Sequence, residues 1–178
     1  IGVQLMNTCA PYLVGNVPVK GEHCAWMESS ATVYINSVLG ARTNTEGRES
    51  VAAASLTGKI PYWGYHLDEN RLGTHLVEVE YDAASVMDWN LLGYSIGEVV
   101  QERVPVLRGV RRVPSLSRLK HFGAAAASSG GVELYHIVGI TPEAHSEEAA
   151  FGGRRPVATL KFGRGERRIA YENLNSSA

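Results

Sequence analysis

An α/β layer architecture with at least some parallel strand pairing is what this 178-residue sequence predicts. Three observations carry it. Strand-like apolar runs alternate with helical segments along the whole chain. The spacers between successive strand candidates are long enough to hold a helix, as parallel crossovers require. No internal repeat, low-complexity tract or linker interrupts the alternation, and the length suits one ordinary domain with a sizeable core.

Pro11, Gly15, Pro18 and Gly21 make residues 7–21 a loop. Residues 22–39 contain no breaker and are followed by Gly40, so they read as a helix with a glycine C-cap. On a helical wheel Glu28, Ser29, Thr32 and Asn36 fall within an arc of roughly 100°, and apolar residues cover most of the rest. A buried helix with one polar stripe needs hydrogen-bond partners, from another polar element or from a ligand. Residues 41–48 form a turn, and residues 49–56 a short Ala-rich helix ending at Gly58. Residues 60–70 are aromatic and turn-rich. Residues 74–81 alternate as a strand, Ser85 caps a helix through Gln101, and residues 104–107 form a short strand. Pro114 and Ser115 open a helix through Ala127, and residues 132–139 read as a buried strand. A turn starts at Thr141, residues 150–156 form a loop, residues 157–162 a strand, and residues 166–173 a last helix.

A formal net charge of -1 with 20% charged residues gives no basic excess for nucleic acid or an anionic membrane. No apolar run approaches the roughly 20 residues of a membrane span, and no signal peptide is visible. The two cysteines, Cys9 and Cys24, form no CxxC and cannot fill a zinc or iron–sulfur site by themselves. Two free thiols in a cytoplasmic chain is one reading. A thiol that ligates metal together with cysteines outside this sequence is the other, and Cys9, in a proline-containing loop, is its candidate. Cys24 reads as a small buried hydrophobe on the helix.

Arg42, Thr43 and Asn44, then Arg48, lie between a helix end and a helix start, where guanidiniums and backbone amides can meet a carboxylate or phosphate. His66 is open to acid–base work or to a hydrogen-bonding clamp, with Asp68–Arg71 as a salt-bridged surface turn beside it. His136 reads as a core histidine, and the run from Arg108 to Arg112 as a solvated basic loop. HExxH, GxSxG, GxGxxG and the Walker loop are all missing, which removes support for metalloprotease, α/β-hydrolase, dinucleotide and P-loop readings.

Taken together, TCAPYLVGNVP, GEHCAWMESSATVYINSVLGARTN, YHLDENR and LYHIVGITPEA resemble the aconitase X family, in order and over nearly the whole chain. The resemblance implies a layered α/β/α aconitase-type catalytic region with a mixed or mostly parallel sheet, residues 1–178 being part of it, and a dehydratase with an iron–sulfur cluster held by three cysteines. Cys9 matches the first of them. The other two, one in a Gly-Cys-Pro-His motif, and the swivel domain or small subunit that partners the region, are expected outside this sequence. The implied reaction removes water from a small hydroxy acid. GARTNTEGRES with HIVGITPEA sides with the branch acting on mevalonate 5-phosphate. Thr45, where arginine is usual, and Arg48, where glycine is usual, depart from it. A cis-3-hydroxy-L-proline dehydratase, or a partial homologue serving as an assembly module, are the alternatives. The implied substrate-facing set is Ser29, Ser30, Asn36, Ser37, Arg42, Thr43, Asn44, Arg48 and His66, with Glu28 behind it and no general base assigned.

Overall fold

The computed structural model describes residues 8–176; Asn7, the first residue of the expected loop, lies outside them. Four strands, β1 (His75–Val79), β2 (Pro105–Arg108), β3 (His136–Ile137) and β4 (Ala158–Phe162), form one sheet in the order β3-β2-β1-β4. Every pairing is parallel, with Val77 of β1 opposite Leu107 on one side and Leu160 on the other. The crossovers are α3 (Val86–Val100), α4 (Leu116–Gly130) and α5 (Glu147–Phe151).

Strand alternation decides what each face holds. Val77, Leu107 and Ile137 point to the face covered by α3 and α4 and pack with Trp89, Leu92, Ile96, Phe122 and Tyr135 in the largest core cluster. Leu76 and Val106 point the other way, under Ala150 and Phe151 of α5. Helices therefore lie on both faces, as the layered α/β/α expectation required. Further along that second face the strands carry charge: Arg108 pairs with Glu78 and, at 3.1 Å, with Glu147, so the basic run at its start is solvated.

Local chemistry sets the element ends. Ser85 accepts from the Asp88 amide at 3.1 Å while the Asp88 carboxylate accepts from the Ser85 amide at 2.9 Å, a reciprocal capping box that starts α3. α3 and α4 approach so closely that a Cβ on Gly93 would run into the Phe122 carbonyl, and one on Gly97 into the Ala126 carbonyl. α6 (Arg164–Ser176) docks on α3 through Ala170 and an Arg167–Asp88 ion pair at 2.5 Å. No helix among the described residues is long and apolar enough to cross a membrane.

The first third of the chain departs from the expected helix over 22–39. Helix α1 is only Ser29–Tyr34, continued by a π-helical turn over Ile35–Leu39 that ends at Gly40 in the left-handed region. Residues 22–26 run extended and parallel to residues 42–46 instead. The Cys24 amide donates to the Arg42 carbonyl, the Arg42 amide to Glu22, and the Glu46 amide to Trp26, each at 2.8 Å. Those bonds take backbone groups that a helix would need, and Glu28 then caps α1 by accepting from the Ala31 amide at 2.9 Å. Cys24 consequently sits half-buried on an extended segment rather than on a helix. The short helix after the turn is α2 (Arg48–Thr57), closed by Gly58 as expected.

Two later expectations also change. The buried strand over 132–139 contracts to His136–Ile137, because Asn36 takes the Glu133 carbonyl at 3.0 Å and Ser37 takes the Tyr135 amide at 2.9 Å. The loop expected from Ala150 is preceded and entered by α5, whose cap is Ser146 accepting from Ala149 at 3.0 Å.

Candidate active site

Cys9 is exposed and unpaired. Its loop is mounted on α1 by stacked aromatics: the Tyr12 ring lies 4.1 Å from Tyr34 and 6.3 Å from Trp26, over Ala31, Ile35 and Ala41. Thr8 and Pro11, on either side of Cys9, line a cleft of about 640 Å³ that is walled by Trp26, Met27 and Glu28 and by Val51 and Ser55 of α2. Ala25 and Ser55 are shared with a second cleft of about 310 Å³ bounded by His23, Cys24 and Lys59. Burial and the nearby Glu22 push the Cys24 thiol up to about 11, so it holds its proton at neutral pH.

Within the polar stripe, Asn36 finds its partners inside the chain, whereas the buried Thr32 Oγ1 has no hydrogen-bond partner among the described residues. Asn36 is fully buried. Its amide donates to the Thr43 carbonyl at 2.8 Å and the Glu133 carbonyl at 3.0 Å, and its oxygen accepts from the Thr43 amide at 3.0 Å. Thr43 Oγ1 donates to the Asn44 carbonyl at 2.8 Å and accepts from the Trp26 amide at 3.1 Å. Asn44 Oδ1 accepts from the Tyr65 amide at 2.8 Å against Gly64, where any Cβ would collide with the Asn44 amide group. These buried groups, with Ser37, knit the turn after α1 to β3 and to the aromatic segment. Ser30 bonds Glu28 at 2.5 Å within the cap, whereas Ser29 and Arg48 are exposed. Gly47, the residue capping α2, leaves its first-turn amides without a side-chain partner.

Arg42 stands at the edge of this scaffold. One guanidinium nitrogen donates to the His66 carbonyl at 2.9 Å and the other pairs with Asp68, whose carboxyl the guanidinium holds below its ordinary value. His66 is fully buried, with Nδ1 2.8 Å from His23 Nδ1; burial first, then His23, hold it below the ordinary histidine value. Among the described residues its Nε2 has no hydrogen-bond partner. His136 is a core histidine, its Nε2 2.7 Å from the Arg71 carbonyl.

Arg71 corrects the surface-turn expectation. Its side chain is 3% exposed and meets Glu143 rather than Asp68, with Nε at 2.9 and 3.0 Å and Nη2 at 2.8 Å from the carboxylate oxygens. The same guanidinium donates to the Tyr65 and Asn36 carbonyls, both at 3.0 Å. The partners belong to two of the sequence motifs, YHLDENR and HIVGITPEA, which lie 72 residues apart at this contact and carry no local sign that they meet. Sequence reasoning left Glu143 and His23 without a role and gave Asp68 and Arg71 only that of a surface turn. A third cleft, of about 610 Å³, opens between the aromatic segment and the amino ends of the strands, lined by Tyr65, Glu69, Glu102, Arg103, Glu133 and Arg154 among others.

Cys9 is an exposed thiol on a loop that the Tyr12–Tyr34 stack mounts on α1. The described residues supply no group of three or more His, Cys, Asp or Glu able to hold a metal by themselves. The exposed Cys9 thiol and the Arg42 guanidinium thus stand on one α/β scaffold, whose family comparison identifies. The family profiles for the aconitase X first domain and the aconitase X second domain match residues 1–69 and 73–172. The chain belongs to the aconitase X family. It is 41% identical over 181 residues to the phosphomevalonate dehydratase large subunit of Methanocaldococcus jannaschii, covering 98% of this chain and 44% of that protein. It is 43% identical over 180 residues to the cis-3-hydroxy-L-proline dehydratase of Pseudomonas aeruginosa, covering 99% of this chain and 31% of that one. The crystal structure of Thermococcus kodakaraensis aconitase X in its holo-form superposes with a TM-score of 0.86 at 37% identity, over 96% of this chain and 42% of that chain. The chain thus spans less than half the length of these relatives. Arg71 falls between the two matched domains and bonds both.

Proposed function

We propose that this chain forms one wall of a hydro-lyase site that removes water from a small, anionic hydroxy acid. The observation that carries the reading is the exposed Cys9 thiol, fixed by the Tyr12–Tyr34 stack beside a cleft, in a chain whose relatives are named as dehydratases. Dehydration faces two barriers: the proton next to a carboxylate is weakly acidic, and hydroxide leaves poorly. Arg42 addresses the first, because a guanidinium bonded to the substrate carboxylate stabilises the negative charge that builds as the proton departs. Cys9 would hold one position of an iron–sulfur cluster, which when bound supplies a Lewis acid for the departing hydroxyl. Arg48 and the uncapped first turn of α2 offer a second anionic group, such as a phosphate, both charge and amide donors. The exposed Ser29 is a contact residue. Asn36, Ser37, Thr43 and Asn44 set where the contacts stand, and His66 orients Arg42 through its carbonyl.

The substrate we favour resembles mevalonate 5-phosphate, on the GARTNTEGRES and HIVGITPEA motifs. The second reading, cis-3-hydroxy-L-proline, has the 43% identity to the Pseudomonas enzyme behind it. A small subunit or swivel domain is the expected partner, supported by relatives named as large subunits. The exposed Leu13, Val14, Val17 and Val19 give it an apolar surface to cover. Assaying the whole enzyme on both substrates, with and without Arg42→Ala, tests the reading. Losing charge-assisted hydrogen bonds of about 1.5–3 kcal/mol raises KM by roughly tenfold or more. Absence of dehydration on both substrates, or an Arg42→Ala enzyme with unchanged KM, contradicts it.

A further inference from the structure

Arg42 and Arg71 are both paired with carboxylates of this chain, yet the two pairs are built differently. Arg71 is held by a carboxylate and by two backbone carbonyls, inside the protein. Arg42 is 18% exposed and its partner Asp68 is 83% exposed. The Arg42 backbone is fixed on both sides, by Cys24 and by Glu22, each at 2.8 Å. One guanidinium nitrogen donates to the His66 carbonyl at 2.9 Å, a bond separate from the one to Asp68. Asp68 opens a three-residue 3-10 turn, makes no other side-chain hydrogen bond among the described residues, and its carboxylate is open to solvent. The guanidinium is therefore aimed by the scaffold, and the carboxylate on it is exchangeable.

We propose that Asp68 is an internal stand-in for the substrate: it occupies Arg42 in the free enzyme and yields that position to an anionic oxygen group, carboxylate or phosphate. This rests on the reading of Arg42 as the anion clamp and deepens it, because it makes Asp68 the residue that sets how strong an anion must be to enter. When Asp68 leaves, its carboxylate passes into water and Arg42, still charged, pairs with the incoming carboxylate or phosphate instead. No proton moves. Arg71, which is buried, and His23, which is exposed, are the other charged or titratable groups that act on Asp68.

An exposed pair of this kind holds together by about 0.2–1 kcal/mol, which leaves Arg42 free roughly two-fifths to one-sixth of the time. Apparent affinity is reduced by that fraction, so the competition weakens binding about two- to sixfold.

The test is Asp68→Asn in the whole enzyme, alone and combined with Arg42→Ala, on whichever of mevalonate 5-phosphate and cis-3-hydroxy-L-proline it turns over. KM is expected to fall about two- to sixfold in Asp68→Asn. That gain is expected to vanish when Arg42 is alanine. A KM that rises or holds in Asp68→Asn, while Arg42→Ala alone raises it, overturns the stand-in and leaves the clamp intact. A gain that persists without Arg42 also overturns it, since it then reflects only the loss of a negative charge nearby. An unchanged KM in Arg42→Ala removes the clamp and the stand-in with it.

Discussion

Replacing Arg71 by methionine, or Glu143 by alanine, breaks the ion pair that joins the two halves of the chain. Every polar edge of the Arg71 guanidinium is engaged: Glu143 on one side, the Tyr65 and Asn36 carbonyls on the other. Removing one partner of a buried pair costs about 3–5 kcal/mol, because the survivor is left charged in a poorly hydrated place. Arg71 is 3% exposed and Glu143 is 20% exposed, so water relieves an orphaned Glu143 more readily than an orphaned Arg71. Arg71→Met, however, also strips donors from two buried carbonyls, at about 1–3 kcal/mol each. Both single variants therefore fall in the 3–5 kcal/mol range. With an m-value of about 2 kcal/mol/M, the urea midpoint drops by roughly 1.5–2.5 M. The double replacement, with methionine at both positions, recovers part of the loss because no charge is left unpaired. Equilibrium urea denaturation of the whole enzyme is the assay. Midpoint shifts under about 0.5 M for both single variants would refute the claim that this pair fastens the halves together.

Two further outcomes follow from packing and from protonation. Gly93→Ala places a methyl group against the Phe122 carbonyl, so an overpacking cost of about 1–3 kcal/mol meets a helix-propensity gain of about 1 kcal/mol. A lower melting temperature is expected, and a higher one would show that α3 and α4 can separate without penalty. His66 and His136 are both held below the ordinary value of 6.5, in each case first by burial. Below about that pH the unfolded chain binds protons that the folded chain refuses, so stability is full above it and falls as the pH drops. Unfolding midpoints at pH 7.5 and about 5.5 check the sign; equal stability at both would contradict the buried, neutral state of these rings.

Much of the chain from α2 onward was legible because its signals are local. Ser85 with Asp88, Ser115, Gly58 and the alternating run around β1 each declare an element end or a face within four or five residues. The stretch before α2 was harder for a physical reason. Residues 22–26 have helical composition, and only the distant backbone of residues 42–46 draws them into an extended run. The α1 stripe correctly announced that Asn36 needed partners, yet one of them, the Glu133 carbonyl, lies 97 residues away. The short β3 follows from that same contact. Cys9 and Arg42 could be singled out from their motifs, whereas Asp68 and Arg71 look interchangeable in sequence and differ only in burial. Their different partners emerge once the chain is folded.

In the proposed site Cys9 is one fixed ligand of a cluster on which dehydration depends. Cys9→Ser in the whole enzyme, with iron and sulfide content and turnover measured on the same preparation, tests it most directly. The expected result is a folded enzyme that has lost cluster iron and dehydratase activity together. Iron and sulfide at the parent stoichiometry with turnover unchanged would contradict it.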